Sequence, residues 1–120
     1  MKKILLAEDD SDLRRFLIKA LENAGYEVVG FDNGVSAYEC LQSEPFSLLL
    51  TDIMMPEMDG IELARRATDM DPDLKVMFIT GFAAVALNPD NVPLSNAQVL
   101  SKPFHLKSLV KEVDKLLLVA

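Results

Sequence analysis

Three carboxylates stand in a row at Glu8, Asp9 and Asp10, directly after the apolar run 4–7. Asp52 follows the run 47–51, Thr80 follows 76–79, and Lys102 follows 98–101. Short apolar runs that end in polar residues suit an open parallel sheet, which gathers its reactive groups outside the carboxyl ends of its strands. If these runs are neighbouring strands, carboxylates, a hydroxyl and an ammonium converge on one edge. Two carboxylates about 5 Å apart repel by roughly 3 kcal/mol at an effective dielectric near 20, so such a cluster needs a proton, a lysine or a metal. A hard divalent cation meets that need: Mg²⁺ (or Mn²⁺) takes oxygen ligands, accepts one or two carboxylates with waters, and leaves positions for a phosphoryl oxygen. A carboxylate beside such an ion and a lysine has what in-line attack on phosphorus requires. Asp52 is the central candidate nucleophile.

Each piece alone has an ordinary explanation. Asp10 or Ser11 is expected to cap a helix. Asp52 with Met54, Met55 and Pro56 also reads as a plain turn, and Lys102 before Pro103 as a solvated surface residue. Their joint placement at strand ends carries the functional reading.

The elements that must position these groups appear as strand-length apolar runs alternating with helix-period segments, which argues a parallel α/β sheet. Residues 4–7, 27–31, 47–51, 76–79 and 98–101 read as five strands, and the unbroken Leu48, Leu49, Leu50 suits a central strand covered on both faces. Leu13, Phe16, Leu17, Ala20, Leu21 and Ala24 recur at helical spacing, and Gly25 stops that helix. The same period runs more weakly through 35–42 and 61–68, and strongly through Leu106, Leu109, Val110, Val113, Leu116 and Leu117. Residues 83–87 give little over one turn before the breakers of 88–93, so the fourth of five helices is expected to be short or mobile. The expectation is a single domain over residues 1–120, a doubly wound (βα)5 fold with strand order 2-1-3-4-5 and no output domain.

The chain has 120 residues, half of them apolar, and a net charge of −7. That size buries one sizeable core without a staple. With 19 acidic and 12 basic side chains it has no footprint for nucleic acid or an anionic membrane. The lone Cys40 makes no internal disulfide, and no apolar stretch reaches the ~20 residues that span a bilayer. The cytoplasm is the expected compartment.

The acids of LLAEDD, the segment LLLTDIMMPEMDGIELARRA, the threonine of MFITG and the lysine of VLSKPF together resemble the receiver domain of bacterial response regulators, the CheY-like fold. The resemblance covers the whole chain. It implies that Asp52 accepts a phosphoryl group from a histidine kinase or a histidine phosphotransferase. It implies that Asp9, Asp52 and the backbone carbonyl of Met54 hold Mg²⁺, with Glu8 contributing through water. Lys102 would contact the phosphoryl oxygens, Thr80 would turn its hydroxyl toward them, and Gly60 and Pro103 match the family's turn glycine and cis proline. More narrowly, TDIMMPEMDGIELARRA, MFITGFAAVALNP and VLSKPFHLKSLV are similar to a subgroup of stand-alone alphaproteobacterial receivers associated with regulated proteolysis by the ClpXP protease. One departure stands out: the usual switch aromatic, three residues before the lysine, is Val99.

By that resemblance the chain is a switch and not an enzyme, its output being a protein contact on the face formed by helix four, strand five and helix five. Phe82, Val85, Leu87 and Phe104 are the expected apolar patch there. A Mg²⁺-dependent phosphohydrolase acting through an aspartyl phosphate is the competing reading, disfavoured because Met54 stands where the acid and base would be needed. A pseudo-receiver that binds partners without phosphorylation is the other; the full acidic set counts against it. Asp69, Asp71 and Asp73 alternate like a calcium loop, but Leu74 and Thr80 stand where glycine and glutamate are required, so they read as a solvated turn. His105 reads as a surface residue and Cys40 as a small core residue. Leu118, Val119 and Ala120 read either as a frayed last turn or as an apolar degradation tail.

Overall fold

Four of the strands alternate their side chains between two separate cores, and this sets the layering. A computed structural model describes residues 2–55, 57–80, 98–101 and 105–118. The strands are β1 (Lys3–Ala7), β2 (Glu27–Phe31), β3 (Leu48–Asp52), β4 (Lys75–Thr80) and β5 (Gln98–Ser101). All pair in parallel, in the order β2-β1-β3-β4-β5. The helices are α1 (Ser11–Asn23), α2 (Gly34–Ser43), α3 (Gly60–Met70) and α4 (Leu106–Leu118). The expected helix at 83–87 and the patch residues Phe82, Val85, Leu87 and Phe104 lie outside the described residues, as do Lys102 and Pro103.

The register places Leu5 beside Leu49 and Leu49 beside Val76, all facing α2 and α3 with Ala37, Leu41, Leu63, Ala64 and Ala67. Ile4, Leu6, Leu48, Leu50, Met77 and Ile79 point the other way, onto Leu17 and Leu21 of α1 and Leu109, Val113 and Leu117 of α4. Period-2 alternation inside continuous apolar runs is what a sheet covered on both faces demands.

Two sequence expectations are corrected. β3 is shifted by one residue from the run 47–51, so Asp52 closes the strand instead of following it. Phe16, assigned to the apolar stripe of the first helix, is 62% exposed, while Leu17 and Leu21 are fully buried. The stripe 13-16-17-20-21-24 spans a wide arc, and the sheet covers only its centre. The helix ends behave as read. Asp10 caps α1, its side chain accepting from the N–H groups of Asp12 and Leu13. At the other end Gly25 takes φ +99°, its N–H bonding Glu22 O while Tyr26 N–H reaches Leu21 O. That pair of bonds is a Schellman stop. Tyr26 then packs on the core containing Leu21 and donates its hydroxyl to Asp114 of α4.

Candidate functional site

Glu8, Asp9 and Asp52 meet beyond the carboxyl ends of β1 and β3, with one carboxylate oxygen from each lying within 4.8 Å of the others. Pairing of Leu6 with Leu50 and Ala7 with Thr51 brings the two strand ends level, so the meeting follows from the register. Glu8 is fully buried, Asp52 is 6% exposed, and Asp9 faces solvent. The cluster thus has a dry floor and a wet mouth.

Local hydrogen bonds fix Glu8 and Asp52. Glu8 N–H donates to Phe31 O at 2.9 Å, and Arg14 Nη1 donates to Glu8 O at 2.8 Å. The Glu8 side chain accepts from Asp10 N–H at 3.1 Å. Asp52 Oδ1 accepts from Met54 N–H at 3.3 Å, and Thr51 Oγ1 donates to Asp52 O at 2.9 Å. The chain then returns toward β3: Gly60 N–H bonds Ile53 O at 2.9 Å, and Asp59 caps α3 by accepting from Glu62 N–H. A Cβ on Gly60 would stand 2.0 Å from Asp52 O, closer than any side chain allows. Glycine is therefore required where α3 starts against the strand that carries Asp52.

The remaining expected site residues divide. Thr80 closes β4 in register with Ser101, one position beyond the Asp52–Ile79 pair. Lys102 lies outside the described residues. Met54 is 61% exposed. Of the features set aside, His105 is exposed and its carbonyl receives the N–H groups of Ser108 and Leu109 at the start of α4. Asp71 ends α3 and accepts from Asp73 N–H in a turn. Cys40 is half-buried against the α2–α3 core, its thiol pushed up by burial and by nearby Glu44. Arg14 was not legible as a site residue, because a side chain bonded to a backbone carbonyl leaves no periodic or compositional mark.

Three carboxylate oxygens at this separation offer an all-oxygen donor set. Such a set suits a hard divalent cation such as Mg²⁺, which takes oxygen ligands and keeps several of its waters. At this separation two ionised carboxylates repel by about 3 kcal/mol at an effective dielectric near 20.

The family model described as the response regulator receiver domain matches residues 4–114. The chain belongs to that family. It is a receiver domain of two-component signalling. It is 75% identical over 120 residues to the response regulator receiver protein CpdR of Brucella abortus (strain 2308), covering 100% of each chain. It spans about half or less of the transcriptional regulators it also matches. Among solved structures, a response regulator receiver protein from Sinorhizobium medicae aligns with TM-score 0.90 at 31% identity, over 98% of this chain and 95% of that one. The Thermotoga maritima response regulator TrrA, solved in complex with Mg(2+)-BeF, aligns with TM-score 0.84 at 28% identity, over 98% and 100%. Among the described residues no helix is long and apolar enough to cross a membrane.

Proposed function

We propose that this receiver is a phosphorylation-controlled switch in which Asp52 is the phosphoacceptor. The observation that carries the reading is the meeting of Glu8, Asp9 and a nearly buried Asp52 at the ends of β1 and β3. Asp9, Asp52 and the Met54 carbonyl would hold Mg²⁺ (or Mn²⁺), with Glu8 acting through water; the ion offsets the phosphoryl charge when bound. That the aligned Thermotoga protein was solved in complex with Mg(2+)-BeF supports Mg²⁺ as the ion.

In the transfer, an Asp52 oxygen bonds phosphorus as the P–N bond of a phosphohistidine breaks. The leaving imidazole keeps the electron pair and takes a proton from solvent. The donor is a histidine kinase or a histidine phosphotransferase. Lys102 contacts the phosphoryl oxygens, and Thr80 reports their arrival. Met54 offers no proton-transferring group beside the phosphorylated Asp52, which suits slow hydrolysis and a switch in place of a phosphatase. Residues 1–120 act as one domain, in the cytoplasm, with a protein contact as output. The 75% identity to CpdR, with the subgroup motifs in the sequence, supports control of ClpXP-dependent proteolysis as that output.

Asp52→Asn tests the site. It keeps the shape and removes the nucleophile, so acid-labile labelling from a phosphodonor with Mg²⁺ should fall to background. Labelling at the wild-type rate would refute the assignment. Comparing how the two proteins are retained on immobilised ClpX tests the output: retention that neither depends on phosphodonor in wild type nor differs between them removes the link to the switch.

A further inference from the structure

Glu8 contributes more than a carboxylate: its peptide carries the chain from β1 into the acidic loop, and it is held at both ends. Its N–H is taken by Phe31 O at the end of β2, and its carbonyl by the Arg14 guanidinium from the first turns of α1, at 2.8 Å. The same arginine is tied to the loop a second time, through its backbone N–H on Asp10 O at 2.9 Å.

The arginine stem is seated by the strand beside it. A Cβ on Gly30 of β2 would come within 3.4 Å of Arg14 Cδ and 3.5 Å of Cγ, so the stem lies flat over that glycine. Arg14 is half-buried. A seated stem leaves the planar head little freedom, so it enforces the direction of one carbonyl at low entropic cost. Among the described residues no ion pair of Arg14 with a carboxylate is present, so its cation is not spent on the cluster it borders.

We infer that Arg14 is a positioning residue for the cation site: by holding the Glu8 carbonyl it fixes the peptide from which the Glu8 and Asp9 carboxylates project. The inference rests on the proposed cation site and adds the residue that pre-orders it. Without the guanidinium the loop keeps its acids but loses their fixed spacing, and the ion must order them as it binds. Groups that orient ligands from behind commonly set metal affinity by about tenfold or more.

The test uses the full chain as wild type, Arg14→Met and Arg14→Lys. Methionine keeps a stem over Gly30 and removes the donor; lysine keeps stem and cation and restores one N–H donor. Mg²⁺ binding is read by calorimetric titration with magnesium chloride. The Mg²⁺ concentration giving half-maximal labelling by acetyl phosphate is read separately, and melting is followed without Mg²⁺. Arg14→Met should raise both the Mg²⁺ dissociation constant and the half-maximal concentration roughly tenfold, and Arg14→Lys should recover part of the loss. Wild-type Mg²⁺ affinity in a folded Arg14→Met protein would overturn the inference. So would lower labelling with an unchanged half-maximal concentration, which marks a general defect. If Arg14→Met does not fold, Arg14→Lys decides: a shift of threefold or more supports the role, and wild-type affinity refutes it. Failure of wild type to bind Mg²⁺ at all would instead refute the cation site.

Discussion

Tyr26 shows how one side chain ties two distant parts of the chain. It follows the glycine stop of α1 and donates its hydroxyl to Asp114 on α4, across 88 positions of sequence. Burial first, then the bond to Asp114 and its negative charge, push the phenol up to about 12 from the usual 10. The fold favours the neutral phenol, so the contribution is complete below pH 10 and is lost as pH rises from 10 toward 12. Melting temperature of wild type should therefore fall through that window, and Tyr26→Phe should flatten that part of the curve. At pH 7 the phenylalanine variant should lose about 1–2 kcal/mol, because a hydrogen bond to a charged group is removed. A variant with the same alkaline slope as wild type would refute the assignment. The residue scale also marks the limit of sequence reading. Asp52, Glu8 and Asp9 were legible because their position after apolar runs is itself a spatial statement. Arg14 was not, and Phe16 was misassigned because periodicity defines a stripe without saying how much of it the sheet covers.

At the scale of elements, the junction of β3 with α3 is the tightest in the described structure that bears on the site. Gly60 starts α3 against the Asp52 carbonyl, and its N–H returns to Ile53 O. Gly60→Ala forces a Cβ into a space of 2.0 Å from backbone oxygen, so strand end and helix start must part. We expect about 3 kcal/mol or more of lost stability by urea unfolding, together with slower labelling at Asp52. Loss below about 1 kcal/mol would show that the junction yields. The strands were legible almost to the residue because apolar runs covered on both faces have no competing explanation. β3 ends one residue later than the run 47–51 because a carboxylate at a strand end resembles the start of a loop in sequence and differs from one only in its pairing with Ile79.

The whole molecule carries a net charge of −7, with three of its carboxylates crowded within 4.8 Å. Crowding of this kind opposes folding, and a cation that binds only the folded state relieves it. Mg²⁺ at a hundred times its dissociation constant should add about 2.7 kcal/mol, raising the melting temperature by roughly ten degrees. Asp9→Asn, which removes one charge, should be more stable than wild type without Mg²⁺ and should gain less from it. Equal gains in both proteins would place the ion elsewhere.

The alternation of strand residues between two cores bears also on how the molecule comes apart. Leu49 and Leu50 belong to opposite layers yet share one peptide bond, and the same holds for Leu5 and Leu6 and for Met77 and Phe78. Stripping α2 and α3 from one face exposes every second side chain of the central strands, and the helices on the other face then rest on a sheet with one face bare. Neither layer can melt by itself. The amides of β1, β3 and β4 should therefore exchange with solvent only through global opening, in a single cooperative unit.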